Sequence, residues 1–562
     1  MVKKILSFVG REISGLHEAA YLLAGSAFLS LLLALVRDRL LASSFGAGNL
    51  LDVYFAAFRV PDTLFVTVAS LVSTSILVPL LLDRKEKGEG ELKRAIDVLF
   101  SGFFGLMVIV ALLAIFAMPY LMQILFPDIA TGQYGRELVG LSRILLLSPL
   151  FLGISNFLAS ITQIRGRFLV YAISPLLYNL GIIIGIVVLY PRFGLYGLGC
   201  GVALGALLHA AIQAPFVIGD SLFPKIRFRL DWTLIRSVFS LSVPRTITLS
   251  SQQLTTLALV SFASFLGAGS ISVFNLSQNL QSVPLSLIGV SYSAAAFPIL
   301  ARAISEKNMK LFIEKTVQAC RHIIFWSVPL SVLFIVLRAQ IVRTVLGAGR
   351  FDWSDTRLTA AALALFIVSA TAQGLVLLFV RAFYAEGKTS KPLLMNVFSA
   401  VLTIVLAYVL IRVFNGYPTF AYFIESIMKT DGAGGSVILM LPLAFSIGAL
   451  LNALLHWNAL SHEFSEFTKS MMKATFQSLG ASIIGGFVAY QGLRYFDNIF
   501  DLTTALGIFL QGLCAGIVGS IAITILLALM KNPELSQAIE VFKQKVWRTG
   551  GVPIGDASEP HI

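Results

Sequence analysis

The chain has 562 residues, 57% of them hydrophobic and 13% charged, with a formal net charge of +13. Soluble domains carry roughly 25% charged residues, so an ordinary water-soluble fold is excluded. β-barrel alternation is absent too, which leaves an all-α polytopic membrane protein.

Met1 to Glu18 form a short basic amphipathic stretch (Lys3, Lys4, Arg11), with no small-residue cleavage site after the first apolar run. Runs of spanning length, read with a window of roughly 19 residues, follow at 21–44, 51–82, 97–126, 137–163, 168–190 and 194–218. The second half adds 232–266, 271–303, 311–346, 356–384, 391–414, 435–460, 471–496 and 502–530, about fourteen in all. Cations collect in alternate loops: Arg84, Lys85, Lys87, Lys93 and Arg94, then Arg165 and Arg167, then Lys225, Arg227 and Arg229. The same loops continue with Lys307, Lys310 and Lys315, Lys388 and Lys391, Lys469 and Lys473, and the tail from Lys531. The intervening loops hold only isolated cations, which is the positive-inside bias, so both termini are expected in the cytoplasm. The basic charge then needs no nucleic acid. The tail places Leu535, Ile539, Phe542 and Val546 at helical spacing and reads as an interfacial or a solvated helix. Cys200, Cys320 and Cys514 lie far apart in apolar segments and read as small buried hydrophobes.

An internal repeat organises the chain. Phe45-Gly-Ala-Gly48, then Val72-Ser-Thr-Ser and Pro79, recurs as Phe265-Leu-Gly-Ala-Gly269, then Val290-Ser-Tyr-Ser and Pro298. Gly205-Ala-Leu-Leu-His-Ala is echoed by Gly448-Ala-Leu-Leu-Asn-Ala. Two copies of six spans in one orientation predict two lobes about an axis along the membrane normal, as in alternating-access transporters. The expected layout is a cytoplasmic N-terminus 1–20, lobes 21–219 and 220–460, two further helices within 461–530, and a cytoplasmic tail 531–562.

Charges inside spans mark the candidate site, because each is costly in the bilayer without a partner or a water-filled cavity. Arg37, Asp38 and Arg39 lie in the first span, Asp52 and Arg59 in the second. Arg245 stands in the most polar span, beside Gln252 and Gln253, and span eight carries Gln278, Asn279 and Gln281. These residues read as a cavity between spans one, two, seven and eight that binds an anion, Arg37, Arg59 and Arg245 supplying charge. Arginine suits phosphate because its planar fork donates two hydrogen bonds at once. A structural reading stands beside it: Arg37–Asp38 or Arg39–Asp52 as ion pairs holding the hairpin, with Arg39 snorkelling outward. The six histidines have no metal-ligand spacing, there is no Walker loop, and no acidic pair suggests an enzyme. No catalytic residue, metal or cofactor is assigned.

The stretch Val36-Arg-Asp-Arg-Leu-Leu-Ala-Ser-Ser-Phe-Gly-Ala-Gly through Asp52, Phe55, Phe58 and Val60-Pro61 resembles the MurJ/MviN family of lipid II flippases, within the multidrug/oligosaccharidyl-lipid/polysaccharide exporter superfamily. Further similarities are Ser174-Pro-Leu-Leu-Tyr-Asn179, Ala263-Ser-Phe-Leu-Gly-Ala-Gly-Ser-Ile-Ser and Arg381-Ala-Phe-Tyr-Ala. The resemblance implies a V-shaped bundle with a central cationic cavity. It implies a lipid-linked diphosphate glycan, lipid II, as substrate, with membrane lipids as the surrounding partner and the bacterial inner membrane as location. Coupling to a cation gradient or to the membrane potential fits such a cycle. Among the family's cavity arginines only Arg37 matches cleanly; the others fall on Leu31, Phe65 and Asn279. Asp38 and Asp52 match acidic positions, Arg59 a basic one, and Arg245 is expected to replace a lost charge. Thr256 to Leu266 lacks the acid of a sodium site proposed for some members. A flippase for another polyprenyl-diphosphate glycan, of O-antigen or capsule type, is the alternative, and a membrane protein with no transport role the third reading.

Overall fold

The computed structural model describes residues 16–69, 74–228, 230–463 and 467–547, and all regular structure in them is helical. The N-terminal stretch before Leu16, Val72-Ser73 of the first repeat copy, Arg229 and the chain after Trp547 lie outside the described residues, as does the side chain of Arg245. The first half comprises α1 (Leu16–Phe45), α2 (Asn49–Leu64), α3 (Thr74–Glu86), α4 (Glu89–Leu125), α5 (Gly135–Ile164), α6 (Phe168–Phe193) and α7 (Leu195–Gly219). The second comprises α8 (Trp232–Ser264), α9 (Ser270–Ser305), α10 (Met309–Val336), α11 (Arg338–Leu346), α12 (Trp353–Ile367), α13 (Ala370–Ala385), α14 (Ser390–Gly416), α15 (Pro418–Met428) and α16 (Ser436–His462). Then come α17 (Phe467–Phe496), α18 (Ala505–Leu529) and α19 (Pro533–Trp547).

Among the described residues nine helices are long and apolar enough to cross a membrane, or ten if the bent pair α12–α13 is one span. The chain is an all-α polytopic membrane protein. Helices are the solution lipid allows, because each backbone N–H and C=O must be satisfied within its own segment. The apolar run expected at 311–346 is two helices, α10 and α11, separated at Leu337, whose backbone leaves helical geometry. The run expected at 356–384 bends by 40° between α12 and α13. There Ser369 Oγ donates to the Phe366 carbonyl at 2.6 Å, competing with the helical ladder.

The two halves share a pattern of helix neighbours. In the first half α6 lies against both α1 and α7; in the second, α14 lies against both α8 and α16. A π-helical turn interrupts span two at Phe65–Ala69 and span eight at Leu285–Val290. Phe65 follows Phe45 by as many residues as Leu285 follows Phe265.

The apolar core has a polarity of its own. One cluster, including Leu41, Tyr54, Leu259, Phe274 and Phe366, joins the halves at the end marked by the Gly46–Gly48 turn. Toward the opposite end the clusters separate: Leu77, Leu92 and Phe157 belong to one, Leu300, Phe312 and Phe383 to another. The halves are therefore joined at one end, while at the other the two clusters are separate and only the start of α8, through Leu234 and Val238, packs into the first-half cluster. At that second end Asp97 of α4, 1% exposed, straps down the segment between the halves. It accepts from the Lys225 N–H at 2.9 Å and from Arg227 Nε at 3.1 Å, and pairs with Lys93.

Helices α17 and α18 pack on each other and against α10 and α11. The tail helix α19 is docked at its start: Glu534, 3% exposed, meets Arg321 of α10 at 2.5 Å, and Asn532 donates to Gln477 at 3.0 Å. Of the three cysteines only Cys320 is buried; Cys200 is exposed and Cys514 half-buried, all as free thiols. A span's outer face meets lipid as apolar as a core, so a thiol there needs no burial.

Candidate functional site

Helix α9 carries Ser272, Asn275 and Asn279, three and four residues apart, which sets them along one face. Each meets an ionisable side chain from the first two helices. Asp52 of α2 accepts from the Gly269 N–H at 2.6 Å, the Ser272 N–H at 2.7 Å and Ser272 Oγ at 2.6 Å. A carboxylate is favoured at this place because the first N–H groups of a helix lack partners within it and carry the positive end of its dipole. Ser272 lies as far past Phe265 as Asp52 lies past Phe45, so the contact joins equivalent positions of the two repeat copies.

One turn deeper, buried Arg59 Nη2 donates to Asn275 Oδ1, while Asn275 Nδ2 donates to the Ile271 carbonyl at 2.7 Å. Asp62 is the acid whose field acts on Arg59. Deeper still, Asn279 Nδ2 donates to Asp38 Oδ2 at 3.0 Å. The other oxygen of Asp38 takes Arg37 Nε at 2.9 Å and Nη2 at 2.8 Å. Arg37 Nη1 reaches Asn179 of α6 at 3.2 Å, and Asn179 in turn holds Ser30 Oγ at 3.2 Å. Arg37–Asp38 is the ion pair of this network, whereas Asp52 is met by neutral N–H and O–H donors and Arg59 by a neutral amide.

Arg37, Asp38 and Asn279 therefore share one network, and Arg59 and Asp52 stand along the same α9 face. The Arg37–Asp38 ion pair exists. An Arg39–Asp52 pair does not: Arg39 donates to the carbonyls of Thr344 at 2.5 Å and Val345 at 3.2 Å, at the end of α11. Gln253 is half-buried on α8, outside this network, beside Gln252. Asn179, Ser272, Asn275, Asp62 and Asp355 were not singled out from sequence as site residues. The helical spacing of Asn275 and Asn279 was the available signal for one of them. Asp355 has a partner that no side-chain pattern marks, the Ala47 N–H at 3.0 Å. The Arg350 N–H adds a bond to the Ser43 carbonyl at 2.9 Å, completing a belt of contacts between the halves around the Gly46–Gly48 turn.

A cavity of about 540 Å3 lies within the second half, walled by α8, α9, α13, α14 and α16. Among the described residues no group of three or more His, Cys, Asp or Glu could hold a metal ion.

A family model described as lipid II flippase MurJ matches residues 41–511. A probable lipid II flippase MurJ of Thermotoga maritima is 29% identical over 371 residues, 65% of this chain and 73% of the relative. The lipid II flippase MurJ of Burkholderia cenocepacia is 22% identical over 404 residues, 70% of this chain and 78% of the relative. A solved lipid II flippase MurJ in an inward closed conformation superposes with a TM-score of 0.71 at 22% identity, over 91% of this chain and 100% of that one. An inward-facing multidrug transporter of the MATE family gives 0.64 at 16% identity, over 78% and 96%.

Proposed function

Because the chain belongs to the lipid II flippase MurJ family, we propose that it carries a lipid-linked peptidoglycan precursor from the inner to the outer leaflet of the bacterial cytoplasmic membrane by alternating access. The observation that carries this reading is the family match from residue 41 to residue 511, which takes in both repeat copies. About fourteen spans form two six-helix lobes, 21–219 and 220–460, with two added helices and both termini cytoplasmic. The basic loops support that orientation. It puts the Gly46–Gly48 belt at the outer face, shut in this conformation, with the separately packed ends toward the cytoplasm.

Transport must bring a diphosphate out of water into a region that penalises an unpaired anion heavily. Arg37, Arg59 and Arg245 supply the compensating charge. Arg37 already holds an anion, Asp38, so the incoming diphosphate substitutes one anionic partner for another. Asp38 and Asn279 set the direction of the Arg37 fork. Arg59 offers a further donor, since its Nε has no acceptor among the described residues. Asp52 acts as a latch between the lobes, and Gln253 as a polar flank of Arg245.

The test is complementation of cells depleted of their own lipid II flippase, read as lipid II exposed on the outer leaflet. Restored exposure is expected. No exposure from a correctly inserted protein overturns the reading. Rescue of a different polyprenyl-diphosphate glycan instead would assign that substrate.

A further inference from the structure

Helix α15 is apolar on both sides. Its 11 residues carry one charge, Glu425, and Ser436 Oγ donates to that carboxylate. Ile424 is buried, and Phe420, Ala421 and Met428 pack against the apolar cluster at the Gly46–Gly48 end. The opposite side carries Tyr422, Phe423 and Ile427, each more than half exposed, as is Tyr417 just before the helix. A helix apolar all round belongs in a core or in lipid rather than between core and water. At about 16 Å it is too short to cross a hydrocarbon region of roughly 30 Å.

Its neighbours set its depth. Helix α14, one residue before it, holds two charges, Lys391 and Arg412, about 32 Å apart along the axis. That separation matches the hydrocarbon thickness, so Arg412 stands at one boundary. Between them Phe398, Val401 and Val405 are exposed and form the lipid-facing side of α14. Arg412 Nε donates to Tyr408 Oη at 3.2 Å, with the guanidinium 5.3 Å from the ring centre. At the other end of α15 its cap residue Lys429 has Nζ 6.0 Å from the ring centre of Tyr490, near the end of α17. Tyrosines and long cations collect where a span leaves the hydrocarbon.

The helix is also tied to the belt between the halves. Arg357 of α12 donates to the Lys429 carbonyl from Nη2 at 2.7 Å and Nε at 3.0 Å, and to the Asp431 carbonyl at 3.0 Å. Two residues earlier Asp355 accepts from the Ala47 N–H. One helix start therefore bonds the first half and the end of α15.

A second protein chain would cover the outward face, but gives no reason for it to lie level with the Tyr408–Arg412 and Tyr490–Lys429 pairs. Phospholipid does. Apolar rings enter the acyl region, while tyrosine hydroxyls and cations meet headgroup phosphates. We propose that the outward face of α15 docks into the headgroup boundary of the leaflet on the belt side, and that Arg357 carries this anchorage to the belt. The orientation proposed above makes that the outer leaflet; the surface itself depends on no substrate.

The test uses the full chain in vesicles of phosphatidylethanolamine and phosphatidylglycerol, carrying Cys200→Ser, Cys514→Ser and one nitroxide label at a time. Cys320 is fully buried and stays. Labels at Ile427→Cys and, separately, Tyr422→Cys are expected to relax more with lipid-soluble oxygen than with a water-soluble nickel chelate, as at Val401→Cys of α14. A label at Asp431→Cys, in the exposed turn after α15, should show the reverse. Nickel access at Ile427 and Tyr422 equal to that at Asp431 overturns the docking surface. Low access to both reagents overturns it too, since protein would then cover the face. Adding Arg357→Ala is expected to sharpen the Ile427 spectrum and leave its oxygen preference, because α15 is released from α12 but stays in lipid. An unchanged spectrum overturns the link to the belt. A chain that gives the expected readings yet exposes no lipid II sinks the proposed function alone.

Discussion

Asp52 joins the halves through charge. Its carboxylate takes three donors from the start of α9, and charge-assisted bonds contribute about 1.5–3 kcal/mol each. Asp52→Ala is expected to lower the thermal midpoint. It should also raise thiol labelling of a cysteine at Ser270, which is 4% exposed while the latch is closed. Unchanged labelling would show that Asp52 holds nothing shut. Gly269 is fixed by the same contact: its φ is +86°, and a Cβ there would come within 2.2 Å of the Ala47 carbonyl oxygen. The arginines separate by what they touch. Arg37→Ala strands buried Asp38 without its cation, a loss of about 3–5 kcal/mol in a buried pair, and should abolish lipid II exposure at the outer leaflet. Arg39→Ala removes bonds to two carbonyls only and should retain most activity. Arg245→Ala is expected to abolish transport and Arg245→Lys to keep part of it, since charge survives without the bidentate fork. Full activity of Arg37→Ala and Arg245→Ala, singly and together, would refute the cationic account.

At the scale of elements the α6–α7 seam is the sharpest constraint. Gly181 and Gly185 face Gly205 and Gly201 so closely that backbones touch. Gly181→Val should force the helices apart and cost about 1–3 kcal/mol or more, seen as a lower thermal midpoint and poor recovery from membranes. Gly480 of α17 has nothing within 4 Å of its would-be Cβ. Gly480→Ala should be neutral or stabilising by roughly 0.5–1 kcal/mol. Equal effects at the two sites would mean that glycine matters through backbone entropy rather than helix approach.

The whole molecule is closed at one end by contacts between the halves, and at the other its apolar clusters are separate, with only the start of α8 reaching across. A rocking cycle has to break the belt at Ser43, Ala47, Asp52 and Asp355. A short bifunctional thiol reagent joining cysteines at Ala47 and Ala268 is expected to stop transport, and cleavage of the bridge to restore it. Transport that continues through the bridged protein would exclude a cycle based on opening here. Orientation has its own test. Cysteines at Lys87 and Lys310 should react only from the cytoplasm, and one at exposed Asn49 only from outside. Reaction of Asn49 and Lys87 from one side would refute the hairpin.

The helical class and the hairpin turn at Gly46–Gly48 were legible from the chain alone. They depend on local quantities: apolar length against bilayer thickness, and glycines set between two apolar runs. The intramembrane charges were equally plain, since Arg37, Asp38, Asp52 and Arg59 interrupt apolar runs whatever they touch. Their partners were not. Asn179 with Arg37, Asn275 with Arg59 and Ser272 with Asp52 are pairs between distant segments, and hydropathy holds no information about which polar groups will meet. The breaks at Leu337 and Ser369 depend on backbone geometry within runs that stay apolar in composition. The second-half cavity was least accessible of all, because volume is what neighbouring helices leave unfilled. Only tertiary packing decides that glycines close α6 on α7 while α8, α9, α13, α14 and α16 leave a cavity in the second half.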